Sequence, residues 1–270
     1  MTSAVPATNG PPATARTSVR LPPALHYTVC SALLTGRNFG FVIFSMAMPV
    51  ILYLVFSSLY GTDTTDDNGI NWSAMIMVSM AAYGSLGAAM SGGAQLAVER
   101  RSGWFRQLSL TALPPRAFIW AKSGVIMLMV LPALILVFVA GATLGGVDAP
   151  INQWLGALIL MWVALIPLTI LGIVIGIWVK AEVVQGVTTL SLLLLALLGG
   201  LWFPVQVMPP VMQAAAHATP SYWLAELGRY PFLPGAAFPW TAVWALAGWS
   251  IGLTLLGALG YRRAAATSKR

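Results

Sequence analysis

Six stretches of about 20 or more residues carry no Asp, Glu, Lys or Arg, and they limit what this chain can fold into. They lie near 39–60, 72–98, 123–146, 153–179, 183–203 and 236–261. A helix rises about 1.5 Å per residue, so each run can cross roughly 30 Å of hydrocarbon. Only 8% of the residues are charged and 58% are hydrophobic. Soluble domains carry roughly 25% charged residues, and a chain this poor in charge cannot cover a water-exposed surface. The runs predict an all-α membrane protein with six transmembrane helices. They consume nearly all of the 270 residues and leave no room for a separate catalytic domain.

The net charge of +7 is not gathered into a nucleic-acid stripe; the basic residues fall at the ends of the apolar runs. With the N-terminus in the cytoplasm, the inner segments hold Arg16, Arg20, Arg37, Arg100, Arg101, Arg106, Arg116, Lys122, Lys180, Arg262, Arg263, Lys269 and Arg270. Of the basic residues, that leaves only Arg229 outside, together with Asp63, Asp66, Asp67, Asp148 and Glu226. This asymmetry predicts both termini in the cytoplasm, and a bacterial inner membrane is the expected location. The fourth and fifth runs are joined only by the turn at Lys180, Ala181 and Glu182, which requires a tight helical hairpin.

Residues 1–22 are rich in Pro, Ala and Thr, and read as a disordered cytoplasmic tail rather than a secretory signal. Over 23–38, Leu25, Val29 and Leu33 recur every fourth residue, as in an amphipathic helix lying on the membrane surface. Frayed chain before the first span is the alternative. Small residues recur at four-residue spacing at Gly84, Ala88 and Gly92, at Gly172 and Gly176, and at Gly248 and Gly252. Such faces let helix backbones approach closely in lipid, and packing within the chain is the reading favoured over association between chains.

Two connecting segments are more informative. The loop after the second run contains Glu99, Arg100, Arg101, Gly103, Trp104, Phe105 and Leu108, and continues to Pro114. Aromatic and apolar side chains among arginines suit a short helix docked in a partner's groove, or one resting on anionic headgroups. After the fifth run, Gly200, Trp202, Phe203 and Pro204 lead through Pro209 and Pro210 to Pro220. This piece is too short and too broken by proline to cross the bilayer, yet too apolar for an ordinary loop. Pro210 can start a helix and Pro220 can end one, so a re-entrant helical hairpin between the fifth and sixth spans is expected.

Taken together, these segments resemble the ABC-2 family of transporter permeases, in its drug- and antibiotic-export branch. The matching stretches are Glu99-Arg100-Arg101-Ser102-Gly103 with Leu108 and Pro114, and Gly200-Leu201-Trp202-Phe203-Pro204 with Pro209 and Pro220. The resemblance implies an ABC-2 transmembrane domain over 39–263, followed by a basic tail at 264–270. It implies that Glu99, Arg100, Arg101, Gly103, Trp104, Phe105 and Leu108 couple the permease to a separate cytoplasmic ATPase. Gly200, Phe203, Pro204, Pro209 and Pro220 would build an extracellular gate. Two ATPase copies and a second permease copy, forming a homodimer in membrane lipid, are the implied partners. ATP and Mg would be bound by the ATPase, and no cofactor by this chain.

The absences agree. No Gly-x4-Gly-Lys-Ser/Thr phosphate loop occurs, so this chain is not the ATPase. His26 and His217 lie far apart, and Cys30 is the only cysteine, which leaves neither a metal-ligand cluster nor a disulfide. Ion-coupled carriers usually place an ionisable residue within a span, and the six runs have none. Serines such as Ser45 and Ser79 have no base nearby in sequence, which argues against an intramembrane hydrolase. A non-transporting sensor or assembly subunit remains the other class. Charge-free spans favour a hydrophobic or amphiphilic cargo (drug, antibiotic, natural product or lipid), with a polysaccharide or glycolipid as the alternative. Glu226 and Arg229, spaced i, i+3, are expected to pair on the outer helix.

Overall fold

A backbone stretch without polar side chains can satisfy its own N–H and C=O groups only by coiling, and every regular element among the described residues is helical. The computed structural model describes residues 39–60, 71–101 and 115–267, with side chains over 47–60, 71–101 and 122–260. The elements are α1 (Phe39–Tyr60), α2 (Trp72–Arg101), α3 (Pro115–Thr143), α4 (Ile151–Ala164), α5 (Ile166–Trp178), α6 (Val184–Leu198), α7 (Pro210–Ala218), α8 (Pro220–Arg229) and α9 (Trp240–Thr267). Short 3-10 turns occupy Val205–Val207 and Tyr230–Phe232. The tail at 1–22, the surface helix at 23–38 and the loop residues Gly103, Trp104, Phe105 and Leu108 lie outside the described residues.

Among the described residues, four helices are long and apolar enough to cross a bilayer: α2, α3 from Lys122, α4 with α5, and α9 as far as Gly260. The runs at 39–60 and 183–203 become α1 and α6. Helix α6 has 15 residues, about 22 Å of helix. It stops short of the run's end because Gly199-Gly200 terminates it. Helix α3 starts at Pro115, well before the expected 123, since proline at the first helical position gives up an N–H that has no partner there. Helix α9 continues to Thr267, into the stretch read as a tail. The α4–α5 junction at Leu165 falls where Pro167 withdraws one hydrogen bond from an otherwise continuous helix.

Helix α2 is the centre of the bundle. Of its most apolar stretch, 78% is buried, against 17% for α9, and it packs on α1, α3, α5, α6 and α8. Its sequence explains this placement. Ala, Gly, Ser and Met on all faces offer close approach on every side, and buried Met77, Met80, Leu86, Met90 and Leu96 fill the gaps. Gly84 accommodates the ring of Pro49 from α1, and Gly92 accommodates Ile126 from α3. A side chain at Gly93 would overlap the backbone of Gly172 in α5, and one at Gly176 would overlap the Gly93 carbonyl. The glycine spacings on α2 and α5 thus serve packing within the chain. Gly248 and Gly252 on α9 face open space.

Polar bonds lock the N-terminal end of α2. The Asn71 side chain accepts from the Ala74 N–H at 3.0 Å as a helix cap. Tyr53 and Ser73 hydroxyls bond at 2.9 Å, and Ser73 donates to the Gly145 carbonyl at 2.7 Å, joining α1, α2 and the end of α3. This packing makes Gly93→Ala lower the unfolding midpoint of the detergent-purified protein by roughly 3–10 °C. Gly248→Ala should shift it by about 1 °C or less. Tryptophan fluorescence on heating checks both, and equal shifts would contradict the α2–α5 contact.

Candidate functional site

At one end of the bundle, three consecutive residues of α2 reach three different elements. Glu99 accepts from Lys122 Nζ of α3 at 2.5 Å. The Lys122 side chain is 4% exposed and that of Glu99 is 28% exposed, so this ion pair is withdrawn from water. Arg100 turns the other way and donates to the carbonyls of Gly176, at 3.2 Å, and Ile177. These belong to the last turn of α5, where carbonyls lack intrahelical donors and the helix dipole favours a cation. Arg101 pairs with Glu182 in the α5–α6 turn at 3.1 Å, largely exposed. That turn is as tight as the sequence requires: Lys180 O accepts from the Val183 and Val184 N–H groups.

The geometry follows from helix periodicity. Successive side chains point about 100° apart, so three in a row at a helix end can serve three neighbours. Lys122 and Glu182 were legible in sequence only as charges flanking apolar runs. Lys122 had a local signal, because it directly precedes a charge-free run and lies inside a helix that begins at Pro115.

At the opposite end, α6 stops in a Schellman arrangement. The Leu201 N–H bonds to Ala196 O at 3.0 Å and the Gly200 N–H to Leu197 O at 3.3 Å, with Gly200 at φ +68°. A side chain at Gly200 is therefore strained, and it would also strike Val205. Pro209 caps α7 and Pro210 opens it; Thr219 separates α7 from α8, which Pro220 opens. The Thr219 hydroxyl caps α8 by accepting from the Tyr222 N–H at 3.4 Å. Ser221 donates to Leu195 O at 2.7 Å, tying α8 to the end of α6. Gly200 and Pro220 are buried, whereas Phe203, Pro204 and Pro209 are exposed. His217 packs within this hairpin, its ring 4.5 Å from that of Tyr222, and its carbonyl accepts from Trp223 Nε1 at 2.8 Å.

The expected Glu226–Arg229 ion pair does not form. Arg229 instead crosses to α2, donating from Nη2 to Ser79 Oγ at 2.7 Å and to Gly200 O at 3.3 Å. Helix α8 packs against α2, α4 and α9, and Arg229 in its last turn reaches the hydroxyl that α2 presents there. Burial pulls the guanidinium pKa down and the neighbouring Glu226 carboxylate pushes it back. Among the described residues no cluster of three or more His, Cys, Asp or Glu side chains occurs that would hold a metal ion.

The buried ion pair carries an asymmetry that can be measured. Glu99→Gln or Lys122→Met alone leaves an uncompensated buried charge and should cost about 3–5 kcal/mol, while the double variant recovers most of that loss. Arg101→Ala should cost about 1 kcal/mol or less. Thermal unfolding of the four variants in detergent tests this; additive losses in the double variant would contradict the pairing.

The ABC-2 type transporter family model matches residues 30–233, from before α1 to the end of the hairpin. Over 121 residues the chain is 28% identical to the "Putative transport permease YvfS" of Bacillus subtilis (strain 168). That alignment covers 44% of this chain and 48% of the relative, so the chain spans about half the length of the curated relative it matches. The family match covers most of the chain, and its helices are long and apolar. The chain belongs to the ABC-2 type transporter family, and its described helices include several long and apolar enough to cross a membrane.

Proposed function

We propose that this permease is the membrane half of an ATP-driven exporter, with six spans and both termini in the cytoplasm. Two copies of the chain and two copies of a separate ATPase make up the working transporter, and this chain itself is not an enzyme. The cargo is a hydrophobic or amphiphilic compound moved outward across a bacterial inner membrane. The drug- and antibiotic-export branch is the assignment adopted. The observation that carries this reading is the fan of bonds from Glu99, Arg100 and Arg101 to α3, α5 and the α5–α6 turn.

A loop that engages an ATPase can drive transport only if its motion reaches the spans. Glu99 and the two arginines stand where that loop leaves α2. A push on the segment holding Gly103, Trp104, Phe105 and Leu108 is therefore delivered to α2, and through these bonds to α3 and α5 together. Helix α2 carries the displacement along its length to Ser79, against which Arg229 of the hairpin rests. Gly200, Phe203, Pro204, Pro209 and Pro220 then act as the frame of the outer gate, with α7 and α8 as its moving parts. Such a device needs two packings of close free energy, biased by nucleotide in the partner.

The test is co-expression with an ATPase that carries a phosphate loop, co-purification, and reconstitution in liposomes. ATP-dependent movement of lipophilic dyes and fluorescent phospholipids is then followed beside ATP hydrolysis. Arg100→Gln should lower transport roughly tenfold while hydrolysis stays within about twofold, the signature of lost coupling. Undiminished transport in that variant, or failure of any ATPase to co-purify, would count against the proposal.

A further inference from the structure

Arg229 is the single Lys or Arg between residues 181 and 261, and its guanidinium hydrogen-bonds to neutral groups only: a hydroxyl and a backbone carbonyl. Its Nε is inaccessible to water and has no acceptor. The indole Nε1 of Trp202 is in the same condition. The two donors bracket one face of α2. Arg229 bonds to Ser79, and Trp202 stacks edge-on against Tyr83, one helical turn further along, with ring centroids 5.6 Å apart. Both also meet at one turn of chain, since Arg229 holds Gly200 O and Trp202 follows two residues later. Glu226, one turn back on α8, is close enough to be felt electrostatically but does not come within ion-pair distance.

A buried guanidinium is costly unless an anion answers it, and buried N–H groups without acceptors add to that cost. A latch that had only to hold Ser79 and Gly200 would work equally well with a neutral amide. The positive charge and the spare donors are explained together by an acidic group that takes them when the hairpin shifts. We propose that Arg229, with the Trp202 indole N–H, binds one carboxylate, phosphate or sulfate group of an amphiphile at the gate, so that the cargo is an acidic amphiphile. The inference rests on the gate reading above and names the class of cargo. The Ser79 and Gly200 bonds are exchanged for bonds to the anion, and the apolar tail stays among the surrounding apolar side chains.

The full chain in nanodiscs of zwitterionic phosphatidylcholine, without any ATPase, is the material for the test. Equilibrium dialysis compares dodecyl phosphate with dodecanol and dodecyltrimethylammonium, which share its tail. Dodecyl phosphate should bind saturably and at least about tenfold more tightly than either. Arg229→Gln should weaken it by about tenfold or more, Arg229→Lys less, and Glu226→Gln should not weaken it. Should the arginine variants fail to fold, Trp202→Phe keeps the ring against Tyr83 and removes one donor. It should weaken dodecyl phosphate by roughly threefold to tenfold and leave dodecanol unchanged. Loss of binding in phosphatidylglycerol discs would identify a lipid headgroup as the anion's source, and retention would identify a free amphiphile. Equal binding of all three probes, or dodecyl phosphate binding unchanged in Arg229→Gln or Trp202→Phe, would overturn the proposal. Because no ATPase is present, that failure is separable from failure of the exporter reading.

Discussion

Helices α2 and α5 touch backbone to backbone, and the bundle is organised around that contact. Gly93, Gly172 and Gly176 remove the side chains that would hold the two helices apart, and the nearby Arg100 side chain then reaches the free carbonyls at the end of α5. With lipid outside the bundle, burial of apolar groups supplies little drive for helices to associate. Close packing and a few well-placed polar bonds must supply it. The same geometry explains why α2 carries serines, glycines and methionines where a lipid-facing helix would carry leucine. Helix α9, wide, tryptophan-rich and exposed, shows the opposite solution.

The two ends of α2 are unlike in chemistry. One ends in Glu99, Arg100 and Arg101, which bind a lysine, two carbonyls and a glutamate on three neighbours. Towards the other end, α2 offers hydroxyls: Ser73 to Tyr53 and Gly145, and Ser79 to Arg229. A charged, ion-paired end is held firmly, and breaking one partner is expensive. A hydroxyl contact is exchanged at much lower cost. That contrast suits a helix driven from one end and released at the other, as the exporter reading requires.

Much of this was legible in the sequence, because the signals involved are local. Runs of apolar residues dictate helices and Pro210 sets the start of α7, whereas Pro220, expected to end a helix, opens α8 one residue after Thr219. The turn between α5 and α6 was equally plain. What sequence did not reveal were partners set by three-dimensional register. Lys122 read as a flanking charge and proved to be the buried mate of Glu99; Arg229 read as the mate of Glu226 and proved to rest on Ser79, 150 residues away. An i, i+3 spacing shows that two side chains share a helix face. It does not show which face is turned inward. The apolar run overstates the length of α6, because hydrophobicity continues through Leu201, Trp202 and Phe203 after the backbone has already turned.

In the exporter reading, the Glu-Arg-Arg end of α2 and the α7–α8 hairpin lie on opposite sides of the membrane. Single cysteines at Glu182, in the α5–α6 turn, and at Val207, beside the hairpin, report on the two ends when Cys30 is replaced by serine. Both positions are exposed, so accessibility depends on sidedness alone. An impermeant maleimide applied to intact cells should modify the cysteine at 207 and reach that at 182 only after permeabilisation. Modification at 182 in intact cells would put the Glu-Arg-Arg end of α2 outside and contradict the exporter topology.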